Sequence, residues 1–244
     1  VIIAAETADI GAFAGTANNG QIDAILATFS EPVNAADGAN DTSAGDALID
    51  EFLVAGYAVN LADTVFVSGE VATIPITESG ANDTDATPDV TFTVTVAAGD
   101  TVLTDFAATP NTAVNLITAG VVETDGAAPV ATASSTVDDD NDGFLDGITL
   151  TFSEAPVIAA ADTALAQAAV TMQEKTNAID LSAATITAPA ANDLQFVGTS
   201  DGVAPAWDTD DLPMAIIAAG SGIKDAAGNE VTAVDSVSTI IDGA

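Results

Sequence analysis

The strongest constraint on the fold is an internal duplication. The segment Asp23-Ala-Ile-Leu-Ala-Thr-Phe-Ser-Glu31 matches Asp146-Gly-Ile-Thr-Leu-Thr-Phe-Ser-Glu154 in order and spacing, at an offset of 123 residues. Shorter segments further along the chain recur in the same order, and both repeats close on Asp-Gly-Ala. A repeat of this size is a whole domain rather than one supersecondary unit. We therefore predict two domains of one fold, residues 1–126 and 127–244.

The hydrophobic pattern predicts β-strands. Apolar and polar residues alternate best at residues 90–96 and 148–152, the period of a half-buried strand. Only the Ala-rich residues 159–169 are expected to form a turn or two of helix. Many short strands with turn residues between them favour antiparallel sandwiches, so we predict an all-β protein. Further strands are predicted near residues 25–29, 64–67, 71–76, 170–172, 194–197 and 214–218.

Three segments carry a family resemblance. Ala27-Thr-Phe-Ser-Glu-Pro-Val33 and its counterpart Leu150-Thr-Phe-Ser-Glu-Ala-Pro156 resemble the opening motif of bacterial immunoglobulin-like domains from surface-layer proteins and large adhesins. Gly222-Ile-Lys-Asp-Ala-Ala-Gly-Asn229 resembles their closing motif, which the first repeat reduces to Val102-Leu-Thr-Asp-Phe106. The resemblance implies two tandem immunoglobulin-like antiparallel β-sandwich domains. Such domains serve as spacers in many surface proteins.

The charge balance limits the partners. The chain has 37 acidic residues against two basic ones, Lys175 and Lys224, and a formal net charge of -35. Binding to nucleic acid or directly to an anionic membrane needs Lys or Arg to displace counterions, so both are excluded. Cations remain as natural partners. Solubility in brine is an alternative reason for the total charge, but it does not explain why Asp clusters in loops.

The sharpest local motif is a predicted calcium loop at residues 138–146, which reads D-x-D-x-D-G-x-x-D. Calcium takes six to eight hard oxygens in flexible geometry, and Gly143 permits the sharp bend that lets alternate Asp side chains converge. Thr149 replaces the Glu of an EF-hand, so we predict the extracellular type of calcium loop, with a solvated acidic turn as the alternative. The predicted Ca²⁺ ligands are the side chains of Asp138, Asp140, Asp142 and Asp146 and the backbone carbonyl oxygen of Phe144.

The equivalent loop of the first repeat, residues 15–23, keeps Gly20 and Asp23 but lacks most ligands. We predict that this copy binds no ion. Glu31 and Glu154 end matching strands. We interpret Glu31 as a strand-end charge that faces solvent. For Glu154 the same interpretation is left open.

The remaining polar motifs have simple interpretations. The closing run after Asp225 is expected to be a turn in which Asp225 or Asn229 bonds the local backbone. Tyr57 and Trp207 are expected to anchor a core or a loop. Residues 37–50, 82–89 and 208–211 are interpreted as solvated acidic loops, with secondary calcium sites as the alternative. Glycosylation sequons begin at Asn40 and Asn82.

Catalytic machinery is missing from the sequence. With no His and no Cys, a triad would need Lys as its base, and neither a Gly-x-Ser-x-Gly elbow nor a phosphate loop occurs. Chance pairs of carboxylates are expected among so many acids and carry little weight. We predict no enzymatic activity and no catalytic residues.

The sequence favours a location outside the cell, at its surface. It has no run of about twenty apolar residues and opens at Val1 rather than Met, so we expect a processed secreted chain or a piece of a longer one. We predict a self-assembling surface-layer or filament subunit with calcium-stabilised domains. Its partners would be copies of itself, joined by calcium or by addition of residues 1–5 to a neighbour's sheet edge. The alternatives are an ordinary first strand for that segment, and the stalk of a calcium-dependent adhesin for the protein.

Overall fold

A computed structural model describes residues 2–11, 15–35, 52–60, 66–92, 103–106, 121–174, 177–198, 212–234, 237 and 240–241. Two compact units divide the chain, Val1–Ala127 and Ala128–Ala244. The predicted boundary lies one residue earlier. Trp207, the Asn40 sequon, and the acid-rich residues 37–50 and 208–211 lie outside the described residues.

The described part of the first unit is built from short strands in three sheets, ordered β1-β2-β6-β5, β4-β7-β9 and β3-β8. Every pairing between these strands is antiparallel. The strands are β1 (Ile2–Ala8), β2 (Ala24–Phe29), β3 (Val33–Ala35), β4 (Phe52–Val54), β5 (Phe66–Ser68), β6 (Val71–Pro75), β7 (Asp89–Phe92), β8 (Leu103–Asp105) and β9 (Val121–Val122).

The described part of the second unit contains one short helix, α1 (Thr163–Ala169), and three sheets, ordered β15-β16-β11-β10-β19, β14-β13-β17 and β12-β18. Its strands are β10 (Ala131–Val137), β11 (Gly147–Phe152), β12 (Val157–Ile158), β13 (Val170–Glu174), β14 (Asn177–Asp180), β15 (Thr185–Thr187), β16 (Asp193–Val197), β17 (Met214–Ile217), β18 (Ile223–Lys224) and β19 (Ile240–Ile241).

The two units repeat one strand arrangement. The order β1-β2-β6-β5 corresponds to β10-β11-β16-β15, and β3-β8 corresponds to β12-β18. In both units the first strand also runs parallel to the closing segment, through a Glu6–Thr124 bridge in one and the β10–β19 pairing in the other. The duplication seen in sequence is therefore a duplication of topology, and the all-β prediction is confirmed.

Each unit has its own hydrophobic core. Phe29 and Ile74 are at most 2% exposed in the first core. In the second core, Phe152 and Phe196 from one sheet pack with Met172 from another. Strands β11 and β16 approach closely because Gly147 has no side chain, and a Cβ there would overlap the carbonyl oxygen of Phe196.

Among the described residues, no helix is long and apolar enough to cross a membrane. The single helix found there, α1, spans seven residues.

Two phenylalanines of the first unit test this core. Phe29 is 2% exposed, whereas Phe106 is 68% exposed. Phe29→Ala should lower the free energy of unfolding by about 3–5 kcal/mol, since it leaves a buried cavity. The matched Phe106→Ala should change it by less than about 0.5 kcal/mol. Guanidinium unfolding of both variants measures the difference, and equal losses would contradict the assigned core.

Candidate metal-binding loop

Residues 138–146 form the turn between β10 and β11. Two of them have left-handed backbones, Asn141 with φ 61° and Gly143 with φ 93°. Asn and Gly tolerate this conformation better than other residues. The predicted bend at Gly143 is therefore present, and it folds the acidic segment back on itself.

Backbone N–H groups bind the loop carboxylates and fix its shape. Asp138 accepts from the nitrogen of Asp142 at 3.2 Å on Oδ1 and from that of Gly143 at 3.0 Å on Oδ2. The Oδ1 of Asp140 also accepts from Asp142, at 3.0 Å, and the Oδ1 of Asp142 accepts from Phe144 at 2.9 Å. Such local bonds are characteristic of Asx turns.

Three of the predicted ligands converge. Asp138, Asp140 and Asp146 each offer a carboxylate oxygen, and these oxygens lie within 4.8 Å of one another. Asp146 is buried at 3% exposure and comes from the end of the loop, where its Oδ2 accepts the N–H of Asp139 at 2.7 Å. This group could hold a metal ion.

Two other predicted ligands have different surroundings. Asp142 is exposed and is not a member of the converging group. The backbone nitrogen of Phe144 donates to Asp142, and the role of its carbonyl oxygen as a ligand stays a prediction.

The loop carboxylates repel one another. Desolvation, followed by the charge of Asp142 and then those of Asp146 and Asp138, raises the pKa of Asp140 above its ordinary value of 3.8. A backbone hydrogen bond from Asp142 opposes this shift. A cation among these oxygens would reverse the charge effect, because it favours the ionised carboxylates.

The first unit contains a second version of the same loop. Asp9 follows β1 as Asp138 follows β10, and its Oδ2 accepts from Gly20 at 2.9 Å. The corresponding bond joins Asp138 to Gly143. Asn18 repeats the left-handed backbone of Asn141, with φ 56°.

Two more hydrogen bonds correspond between the loops. Asn19 Oδ1 accepts from Gln21 at 2.9 Å, as Asp142 accepts from Phe144. Asp23 Oδ1 accepts from Ile10 at 3.2 Å, as Asp146 accepts from Asp139. The two loops therefore share this hydrogen-bonding pattern, and they differ in the number of carboxylates that they carry.

Sequence comparison missed Asp9 because the first connection is longer. Residues 9–23 join β1 to β2, whereas residues 138–146 join β10 to β11, six fewer. Because of these extra residues, Asp9 lies outside residues 15–23, the segment that matches the nine-residue motif. Ala17 and Asn19 stand at the places of Asp140 and Asp142, so the first loop holds two of the four carboxylates.

Side chains from elsewhere in the first unit close its loop. Glu78 Oε1 accepts from the backbone of Thr16 at 2.8 Å and from Nδ2 of Asn19 at 3.0 Å. Burial, with a smaller contribution from the charge of Asp23, raises the pKa of Asp9, against the hydrogen bonds from Gly20 and Asn18. The amide of Asn19 thus donates to the Glu78 carboxylate, whereas the second unit has an acid, Asp142, at the position of Asn19.

Asp83 and Tyr57 support the same loop. Asp83 accepts from the backbone of Ile22 at 2.8 Å and from the Tyr57 hydroxyl at 2.9 Å. Burial and the neighbouring Asp83 raise the pKa of Tyr57, which keeps its proton as donor. Tyr57 is therefore a loop anchor. Asp83 is the middle residue of the sequon at residues 82–84, in which Asn82 is exposed and Thr84 is fully buried.

The matching glutamates have different environments. Glu31 is exposed, as interpreted, but Glu154 is only 5% exposed. A carboxylate oxygen of Glu154 lies within 4.8 Å of one of Asp225, which is 3% exposed. Buried carboxylates this close repel each other unless a cation neutralises them. Nothing in the linear motif distinguishes Glu154 from Glu31.

The closing motif forms the predicted turn. Asp225 Oδ1 accepts from the backbone nitrogens of Gly228 at 2.5 Å and Asn229 at 2.8 Å. Asn229 Nδ2 donates to the other oxygen at 2.7 Å. Gly228 has φ 103°, which explains a glycine at this position.

Comparison of the chain with protein-family models, with curated proteins and with solved structures finds no match.

Neutralising single loop carboxylates tests the site. Asp140→Asn removes a converging, exposed carboxylate and should weaken calcium binding by about tenfold or more, since affinity follows the charge of the ligands. Asp139→Asn removes the same charge from a neighbouring side chain outside the group, so it should weaken calcium binding less than Asp140→Asn does. Isothermal titration with calcium chloride compares the variants, and equal weakening would contradict a specific role for Asp140.

Proposed function

We propose that this chain is an extracellular structural protein, a self-assembling subunit of a surface layer or filament, with a calcium site in its second domain. The observation that carries the proposal is the convergence of Asp138, Asp140 and Asp146 in a hydrogen-bonded turn. The whole chain, which contains this turn, has a formal net charge of -35.

Calcium fits the donor set better than other common metal ions. The group offers carboxylate oxygens, and the chain has no Cys or His, the preferred ligands of zinc. Magnesium demands near-ideal octahedral geometry, whereas calcium accepts a flexible set of carboxylates, carbonyls and waters. The carbonyl of Phe144 and the carboxylate of Asp142 are the additional ligands that we propose.

The duplicated topology supports a structural role. Two copies of one sheet arrangement follow each other in the chain, and both have small aliphatic and aromatic cores. We interpret them as tandem immunoglobulin-like β-sandwich domains, which provide length rather than a catalytic pocket. With no His or Cys, the chain cannot form a catalytic triad that uses either residue.

The charge makes assembly dependent on cations. Two copies at -35 repel each other over about a Debye length, roughly 8 Å at physiological ionic strength. Divalent ions bound at acidic loops reduce this repulsion and can bridge carboxylates of neighbouring copies. Calcium therefore acts twice in the proposal, inside the second-domain loop and between subunits.

Electron microscopy of the purified chain tests the proposal. In millimolar calcium, ordered sheets or fibres should form, and they should dissolve when a chelator is added in excess. Asp140→Asn should need more calcium for assembly than the matched Asp139→Asn. Magnesium at equal ionic strength controls for general screening of charge.

Monomers in both calcium and chelator would contradict self-assembly. That outcome would favour the stalk of a calcium-dependent cell-surface adhesin, because an isolated stalk segment stays monomeric. Assemblies that form equally well in magnesium or sodium would remove the specific role of calcium.

A further inference from the structure

Asn19 differs from every other asparagine of the chain in the residue that follows it. Only Asn19 precedes a glycine, Gly20. A backbone nitrogen can attack the side-chain carbonyl of the asparagine before it, which expels ammonia and closes a succinimide ring. Glycine permits this attack because it has no Cβ beside the nitrogen and allows backbone conformations that other residues avoid. Gly20 has φ 87°. These two residues are therefore the pair in the chain best suited to the reaction.

Asp9 is placed to take the proton from the attacking nitrogen. Its Oδ2 accepts the N–H of Gly20 at 2.9 Å in a buried hydrogen bond. Burial, with a smaller contribution from the charge of Asp23, raises the pKa of Asp9, which makes it a stronger base. The hydrogen bonds from Gly20 and Asn18 favour the ionised carboxylate, the form that can accept a proton. An amide nitrogen attacks only as it loses its proton, so this contact supplies what the reaction needs.

The side chain of Asn19 is folded over the same peptide bond. Its Oδ1 accepts the N–H of Gln21 at 2.9 Å, in an Asx turn that arches the side chain over the Gly20 nitrogen. Attack on Cγ places negative charge on Oδ1, and the N–H of Gln21 is already bonded there to stabilise that charge. Nδ2 donates to Glu78 Oε1 at 3.0 Å, so hydrogen bonds hold both ends of the carboxamide.

The base and the carbonyl do not compete for the Gly20 nitrogen. Its N–H bond lies in the plane of the peptide, where Asp9 accepts it. The new bond to Cγ uses the nitrogen orbital perpendicular to that plane. Deprotonation and attack can therefore occur together in the loop as it is folded.

We propose that Asn19 is a self-modifying site, at which the Gly20 nitrogen attacks Cγ with Asp9 as the base. The bond from the Gly20 nitrogen to Cγ forms, and the bond from Cγ to Nδ2 breaks. Asp9 passes the proton from Gly20 through water to the leaving nitrogen, which departs as ammonia. A second water then opens the succinimide at either carbonyl, so one amide and one water become a carboxylic acid and ammonia. The product at position 19 is aspartate or isoaspartate, and the reaction runs once in each chain.

The second unit carries an acid at this place from the start. Asp142 corresponds to Asn19 and also precedes a glycine. Its Oδ1 accepts from Phe144, as that of Asn19 accepts from Gln21. In the first unit a carboxylate at position 19 would face Glu78, to which the amide now donates. The modification therefore replaces a hydrogen bond with a repulsion and weakens the closure of the first loop.

Ageing of the full chain tests the proposal. The chain is purified rapidly in the cold and then incubated at neutral pH beside a synthetic peptide of residues 15–23. The peptide contains Asn19 and Gly20 but neither Asp9 nor Glu78. Mass spectrometry of proteolytic fragments follows the conversion of amide to acid, and chromatography separates aspartate from isoaspartate. Conversion in the folded chain should be at least about tenfold faster than in the peptide, since a positioned base typically contributes about 100-fold or more.

Two variants separate the base from the fold around it. Asp9→Asn keeps the size of the side chain but removes the base, and it should slow conversion by at least about tenfold. The matched control is Asp83→Asn, because Asp83 supports the same loop through Ile22 and Tyr57 rather than through Gly20. The control should stay within about twofold of the natural chain. Calorimetry checks that the first unit still unfolds cooperatively in both variants.

The pH dependence gives a test that needs no variant. In the peptide, hydroxide removes the proton, so the rate should rise about tenfold for each unit of pH. In the folded chain the ionised Asp9 removes it, so the rate should change by less than about threefold between about pH 6 and about pH 8.

Three results would overturn the proposal. Conversion in the folded chain that is no faster than in the peptide would mean that the loop holds Asn19 without activating it. Equal slowing by Asp9→Asn and Asp83→Asn would assign the effect to the stability of the loop. A folded-chain rate that rises with pH as steeply as that of the peptide would identify hydroxide, not Asp9, as the base.

Discussion

Repulsion between carboxylates is the constraint on which the rest of this structure depends. With 37 acidic residues and two basic ones, the chain cannot neutralise its carboxylates by salt bridges. Several of its buried acids accept backbone N–H groups instead. Asp9 accepts two N–H groups, Asp225 accepts two more, and Asp146 accepts one. Because each such bond fixes a turn, the acids determine the shape of the loops between strands.

The duplicated loop shows two ways to meet this constraint. In the first unit, the Asn19 amide donates to Glu78, and the loop keeps two of the four motif carboxylates, Asp9 and Asp23. In the second unit, the loop has the same hydrogen-bonding pattern and all four motif carboxylates, and oxygens of three of them lie within 4.8 Å of one another. One loop is stabilised by groups of its own unit, and we propose that the other is stabilised by calcium.

The sequence alone predicted the features that depend on short-range patterns. The strand predicted near residues 25–29 is β2, and the alternation at residues 148–152 identified β11. The spacing of Asp138, Asp140 and Asp146 identified three side chains that converge. Non-local relations were harder to predict. Asp9 was missed because six extra residues separate it from its motif, and the burial of Glu154 depends on contacts that its strand motif does not encode. Asp142 fits the spacing of the motif, but its side chain turns to the backbone of Phe144.

Differential scanning calorimetry of the full chain, with calcium and with chelator, tests the central claim most directly. At a protein concentration too low for assembly, we expect two unfolding transitions, and calcium should raise the temperature of only the one that belongs to the second unit, because a ligand stabilises the state that binds it. Phe29→Ala assigns the other transition, since it lowers the stability of the first unit alone. A calcium shift in the first-unit transition, or no shift in either, would contradict the division of roles between the two loops.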